Sequence, residues 1–262
     1  MEIITNISEL LHYKEKILKL FHQCFQRRLA PEIWDWAYIK NPLGNPIVCL
    51  SMDKEFNIVG HYAIIPFQLV DNNNKPIKAG LSMTTMVHPD FRISDESIVV
   101  LANSVYEEAR KQNYDFIFGF PNQTSSPVFR ILLGWDIDKS SQIVRFSGEY
   151  LNNSGILKLL SNAHFSVAIH NKEFMDWRLA KPDGNYILEN NIIAKSYDGA
   201  MDLLYFTNET RVANDVDYNL IVNASYDLGD VKGEVYHFGV RAISKKITVK
   251  EVSLQMINSD VF

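Results

Sequence analysis

The 262-residue sequence predicts a mixed α/β fold, a central mixed sheet flanked by helices and followed by a smaller α/β half. Three observations carry this. Residues 7 to 27 repeat apolar side chains at helical spacing. From Ile47 the pattern changes to short apolar runs broken by turn residues, and a second helical stretch then precedes another short strand.

The elements follow in order. Ile7, Leu10, Leu11, Ile17, Leu18, Leu20 and Phe21 give the first helix one apolar face, with Ser8 placed to start it. The runs IVCLSM and IVGHYAIIPFQLV, divided by Asp53 and Lys54, read as two strands, and residues 72–76 as a turn into a third, GLSMTTMVHP. Residues 98–111 are apolar at Val99, Val100, Leu101, Val105 and Tyr106 and charged at Glu107, Glu108, Arg110 and Lys111, which predicts a second helix. Residues 114–120 form a strand closed by Pro121, and Ser126 with Pro127 opens a third helix that stops at Gly134. Further on, ILENNIIAKSYDGAMDLLYF, DYNLIVNAS, YHFGVRAIS and ITVKEVSLQMI all read as strand material.

Composition excludes several classes. With 47% hydrophobic and 22% charged residues the chain can bury a core, so disorder is excluded. A net charge of -5 without a Lys/Arg block disfavours a nucleic acid partner. Cys24 and Cys49 are too few for a disulfide framework and read as buried thiols, and no spacing of ligands suggests a metal. The opening residues lack the basic and apolar regions of a signal peptide, and apolar runs such as 98–102 fall far short of the roughly 20 residues that span a bilayer. A cytoplasmic protein without a membrane span is expected.

The stretch from Gly60 to Trp135 resembles the GNAT superfamily of acyl-CoA-dependent N-acyltransferases. MTTMVHPDFR (83–92) is similar to the family's central strand and the turn after it. FGFPNQTSSPVFRILLGW (118–135) is similar to the next strand, the asparagine beyond it, and a helix ending in Gly-aromatic. The resemblance implies that two parallel strands splay and admit the pantetheine arm of CoA against the backbone of Met83, Thr84, Thr85, Met86 and Val87. Alternation along this strand is expected to put successive side chains on opposite faces. It also implies a pyrophosphate site at the following helix N-terminus, with Arg92, Ser94 and Ser97 around it. Asn122, Ser125 and Phe129 fall on the other side of the splay. The family loop reads Arg-x-x-Gly-x-Gly or Ala, whereas this chain has Arg92-Ile93-Ser94-Asp95-Glu96-Ser97, and Phe129 stands where many members carry a tyrosine. Two outcomes stay open: a backbone that still receives CoA with the acids turned away, which we favour, or a fold without cofactor binding.

For catalysis the candidates are His88 after the central strand, His61 within the preceding one, and Asn122; Asp35 and Glu149 are unassigned carboxylates. An echo links DWAYIKNPLGNPI (35–47) with DWRLAKPDGNYI (176–187), pairing Trp36 with Trp177, Gly44 with Gly184 and Ile47 with Ile187. Residues 1–150 are therefore expected to form the acyl-CoA-binding domain, and residues 151–262 a smaller repeat that shapes the acceptor site. Trp34, Tyr38, His61, Trp177, Arg178 and Tyr205 are candidates to hold an acceptor. The resemblance implies direct acyl transfer, of acetyl or 3-hydroxybutyryl type, to a nucleotide-linked amino sugar for surface polysaccharide, by a monomer or homodimer. The alternative is a non-catalytic binding module of the same fold.

Overall fold

The computed structural model describes residues 1–92, 96–189, 191–223 and 232–259, with only the backbone at 96 and 97. Strand β1 (Glu2–Ile4) leads into helix α1 (Ile7–Phe25). Asn6 rather than Ser8 caps α1, its side chain accepting from the Ser8 N–H at 2.7 Å, and Gln26 ends it at φ 54°. A short helix that periodicity did not announce, α2 (Pro31–Tyr38), starts on a proline and buries Trp34, Trp36, Ala37 and Tyr38. Strands β2 (Ile47–Met52), β3 (Ile58–Asp71) and β4 (Pro76–Val87) follow as an antiparallel meander. Its tight turn is held by the Asp71 carboxylate, which accepts from the N–H groups of Asn73 and Lys75, both at 2.9 Å. Helix α3 (Glu96–Lys111) lies across β2 and β3, and Gly60 permits the approach: a Cβ there would stand 2.8 Å from Leu101.

Strand β5 (Phe116–Gly119) returns parallel to β4, as the α3 crossover requires. Helix α4 (Ser126–Ile131) follows; Ser126 is not its cap but a buried first residue. Then come β6 (Asp136–Asp138), β7 (Gln142–Ser147), α5 (Gly148–Ser154), α6 (Ile156–Ser161), β8 (Phe165–Val167) and α7 (Lys172–Leu179). The final run is β9 (Ile187–Glu189), β10 (Ile192–Tyr197), β11 (Ala200–Tyr205), β12 (Asp217–Val222), β13 (Glu234–Val235) and β14 (Phe238–Ala242). The stretch ITVKEVSLQMI is not a strand: it forms 3-10 turns at 249–251 and 256–258, and only Val252 makes an isolated bridge, to Phe165.

These strands build two mixed sheets with the same internal order. The first runs β1-β2-β3-β4-β5-β14-β6 with β8 added beside β3; the second runs β13-β7-β12-β11-β10-β9. In each, three antiparallel strands (β2-β3-β4, β9-β10-β11) meet a parallel step (β4-β5, β11-β12) and then an antiparallel strand. That last strand is exchanged: β14 comes from the second half of the chain and completes the first sheet, while β7 precedes residue 150 and completes the second. The two echo segments fold alike, as helix, turn and strand, with Ile47 and Ile187 each starting a strand.

They also meet. The rings of Trp36 and Trp177 stack at 4.8 Å, nearly parallel, and each indole N–H donates to the other's backbone carbonyl, at 2.7 and 2.8 Å. Both residues are buried, so this reciprocal pair joins the halves through satisfied polar groups inside a continuous core. The second sheet departs from the first at its parallel step, where residues 206–216 form no helix. Immediately after β11, the Phe206 N–H donates to the Gln255 side-chain oxygen at 3.0 Å, and the Gln255 amide nitrogen donates back to the Phe206 carbonyl at 3.1 Å. A side-chain amide thus fills the backbone hydrogen-bonding positions that open where β11 and β12 separate.

Candidate functional site

The first sheet opens at its own parallel step. β4 and β5 pair from Ala79 with Phe116 to Leu81 with Phe118 and no further, while β4 continues to Val87. Beyond the last pair lies a cavity of about 420 Å³. One side is residues 81–85 of β4, and the other is 119–122, Ser125 and Phe129. Of the strand residues implied by the resemblance, Met83, Thr84 and Thr85 line this cavity, and Asn122, Ser125 and Phe129 face them across it.

The strand does not alternate as expected. Between the pairs Ala63 with Met83 and His61 with Met86 the register shifts, leaving Thr84 and Thr85 as a bulge opposite β3. Met83 and Met86, three residues apart, are consequently both buried. Thr84 sits at φ 48°, a left-handed conformation that a β-branched residue adopts only when its surroundings impose it. Two buried side chains do so. The Tyr38 hydroxyl hydrogen-bonds to the Thr84 hydroxyl, and His61 Nδ1 lies 2.7 Å from the Thr84 carbonyl oxygen. A carbonyl accepts, so Nδ1 carries the proton and donates.

This corrects the place of several residues. His61 is fully buried, does not line the cavity, and its Nε2 has no hydrogen-bond partner. Burial pulls its pKa from 6.5 to about 4, so it is neutral near pH 7 and holds the bulge. Tyr38 packs edge-on against it and stacks on Trp34, and burial pushes the Tyr38 hydroxyl well above its ordinary value. Met86 and Val87 pair with β3 and lie outside the cavity lining. Val87 offers its carbonyl to Arg92 Nε at 2.8 Å and to the Cys24 thiol at 3.5 Å. His88 caps a 3-10 turn, accepting from the Asp90 N–H at 3.3 Å, and packs on Phe91, so it too stands apart from the cavity. Ser94 and Asp95 lie outside the described residues, as does the side chain of Ser97.

The acceptor candidates change character. Trp34, Tyr38, Trp177 and Arg178 are core residues, because apolar area of that size stabilises most when removed from water and each polar tip but one is satisfied inside. The exception is the Trp34 indole nitrogen, buried without a partner. Arg178 donates twice to the Ile257 carbonyl, at 3.1 and 2.8 Å, and lies over the Trp36 ring at 5.7 Å. It ties the segment carrying Ile257 to α7. Tyr205 is half-buried in the second half of the chain, beside Phe206 and Gln255. Asp35 is paired with Lys14 at 2.6 Å, and Glu149 sits in the first turn of α5.

Asn122 keeps a structural duty at the cavity: its side-chain oxygen accepts from the Ser125 N–H at 2.8 Å, fixing the turn before α4. Phe129 packs edge-on against Trp135 at 4.9 Å and presents no hydroxyl. The rest of the wall was not expected from the sequence: Phe21 and Phe25 of α1, Arg27 just after it, Leu81 and Ser82, residues 119–121, Tyr236 and Ser259. Phe25, 40% exposed at the end of α1, puts an apolar ring at the rim of this opening. Among the described residues no group of three or more His, Cys, Asp or Glu side chains is placed to hold a metal, and no helix is long and apolar enough to cross a membrane.

No protein-family model matches this sequence, and no curated protein matches it. Solved structures do match its fold. A probable N-acyltransferase from Enterococcus faecalis superposes with a TM-score of 0.61 at 14% identity, over 93% of this chain and 73% of the other. A GCN5-related N-acetyltransferase from Kribbella flavida gives 0.60 at 13% identity over 93% and 71%, and one from Anabaena variabilis 0.58 at 11% over 92% and 72%. At these identities the likeness establishes the fold, two mixed sheets flanked by helices, as that of GCN5-related N-acetyltransferases.

Proposed function

We propose that this chain transfers an acyl group, of acetyl or 3-hydroxybutyryl type, from CoA to the amine of a small acceptor, a nucleotide-linked amino sugar for surface polysaccharide. The observation that carries the reading is the cavity between β4 and β5, with a backbone edge of β4 left unpaired beyond Leu81. Such an edge offers N–H and C=O groups to an extended amide-bearing arm, the chemistry of pantetheine. In this reading residues 1–150 contribute most of the acyl-CoA cleft, with Tyr236 and Ser259 added from the second half, and residues 151–262 together with β7 shape the acceptor side.

Acyl-CoA supplies an activated acyl carbon: the acceptor nitrogen bonds to it as the C–S bond breaks, and one amine proton ends on the departing thiol. The protein's part is to position and polarise. Backbone N–H groups at the Thr84–Thr85 bulge polarise the thioester carbonyl, and the bulge is held in place by His61 and Tyr38. Asn122 and Ser125 border the thiol side. Arg92, on the turn before α3, stands ready for the pyrophosphate. Neither histidine lies at the cavity, so an acceptor amine of lowered pKa, as in amino sugars, suits this site.

Calorimetry with acetyl-CoA and 3-hydroxybutyryl-CoA tests the cleft, and thiol release with a dTDP-linked amino sugar tests the transfer. Saturable binding and thiol release that falls in Asn122→Ala are expected. Absence of CoA binding rejects the reading. A second reading, a non-catalytic binding module, is favoured by Phe129 at the cavity and by Asp95 and Glu96 in place of small residues. Absence of thiol release for every amino-sugar nucleotide, with or without CoA binding, selects it, and thiol release eliminates it.

A further inference from the structure

The second sheet carries a row of polar side chains that the acyl-transfer cleft does not use. Arg145 of β7 is paired directly with Asn219 of β12, Asn219 with Asp202 of β11, and Asp202 with Lys195 of β10. Directly paired residues in a sheet project to the same side, so the four form one line across four adjacent strands. All four line a single cavity of about 550 Å³. That cavity shares Tyr236 and Ser259 with the cleft beside β4, which makes the two adjoining.

The row is built rather than incidental. Two residues further along on the same side, Ile193, Leu204 and Ile221 are buried in the main core, so the sheet face changes abruptly from apolar to polar at the cavity. Asn219, only 6% exposed in an interior strand, is an unfavourable choice for β-structure. Its amide is spent on fixing its neighbours: the oxygen accepts from Arg145 Nε at 3.1 Å and the nitrogen donates to an Asp202 carboxylate oxygen at 2.9 Å. Guanidinium and carboxylate are thereby held at set positions on either side of it. The Arg145 Nη2 also donates to the Asp198 carbonyl at 3.1 Å.

Charge selects the ligand class. Among the described residues of this cavity, Arg145, Lys195 and Lys232 are matched by Asp198, Asp202 and Glu234, so their formal charges cancel. A polyanion would meet three carboxylates as well as three cations, whereas a ring of hydroxyl groups, each both donor and acceptor, complements alternating donors and acceptors. Tyr236 gives the junction with the cleft an aromatic face.

We propose that the Arg145–Asn219–Asp202–Lys195 row binds the hydroxyl-rich sugar ring of the acceptor. This deepens the function proposed above and rests on it for the identity of the acceptor. The test is direct binding, independent of turnover. D-glucosamine and thymidine diphosphate are titrated separately into the full chain by calorimetry and saturation-transfer NMR, with acetyl-CoA titrated alongside. Glucosamine is expected to bind, with affinity falling about tenfold in Asp202→Asn and in Lys195→Gln while acetyl-CoA binding and thermal unfolding stay unchanged. Arg145→Gln, at the exposed end of the row, decides the matter if Asp202→Asn fails to fold. Absence of glucosamine binding, unchanged affinity in the folded variants, or displacement of glucosamine by thymidine diphosphate overturns the proposal. Loss of acetyl-CoA binding with glucosamine retained rejects the acyltransferase reading and leaves the sugar platform standing.

Discussion

His61 makes the fold sensitive to mild acid, and the size of the effect follows from its surroundings. Its imidazole is neutral, with Nδ1–H donating to the Thr84 carbonyl and Nε2 buried without a partner. Protonation would place a second N–H and a full charge where no acceptor or anion waits; the titratable neighbour against the ring is Tyr38, itself held protonated by burial. The folded value is about 4 against 6.5 for the free group. Because the folded pKa is depressed, the unfolded chain binds this proton first as pH falls. Stability is therefore full above about 6.5, declines between 6.5 and 4, and is constant again below. Each pH unit in that window is about 1.4 kcal/mol, which gives ~3 kcal/mol across it. Urea unfolding of the native protein and of His61→Gln, followed at about pH 7, 5.5 and 4.5, isolates this contribution, since the variant has nothing to titrate at that position. The native profile should fall more steeply by up to about 1.4 kcal/mol per pH unit. Parallel profiles would refute the reasoning, whatever the offset between them.

Trp36→Phe removes the indole donor and leaves the buried Trp177 carbonyl without its partner, so a loss of about 3 kcal/mol is expected in urea, and less than about 1 kcal/mol would mean that the reciprocal pair is not what joins the halves. Phe56 occupies φ 61° with its side chain 71% exposed, and Phe56→Gly should raise stability by about 1 kcal/mol in the same assay. A Cβ at Gly119 would lie 3.3 Å from Ser82 across the opening of the cleft. Gly119→Val is accordingly expected to weaken acetyl-CoA binding at least about tenfold in calorimetry, and unchanged affinity would remove the cleft from consideration.

The first half of the fold is legible because its patterns are local. The helix from Ile7, the strands from Ile47 and Ile58 and the helix before Tyr114 each carry their own periodicity, and the structure moves their ends by only a residue or two. Helix α2 was hidden because its eight residues make barely two turns and its buried side chains, Trp34, Trp36, Ala37 and Tyr38, include three in a row, so no helical period stands out. The candidate cavity was legible as a location, since Met83, Thr84, Thr85, Asn122, Ser125 and Phe129 all line it, and illegible as a geometry. The Thr84–Thr85 bulge depends on contacts with Tyr38 and His61, 46 and 23 residues away, which leave no periodic trace. For the same reason tryptophans and an arginine that look like ligand contacts in sequence prove to be internal: Trp177 and Arg178 find their partners at Trp36 and Ile257, on remote segments. The exchange of β7 and β14 between sheets is likewise a property of pairing, beyond what either strand's own residues encode.

The Gln255 amide beside Phe206 gives the molecule an internal ligand. Tethered to the same chain, that amide is present at an effective concentration of the order of millimolar, far above what a free pantetheine arm reaches at micromolar acyl-CoA. Two sheets of one topology therefore do not make two equivalent receptors. On the function proposed, one parallel step receives acyl-CoA while the other is answered from within, and titration with acetyl-CoA should saturate at a single equivalent per chain.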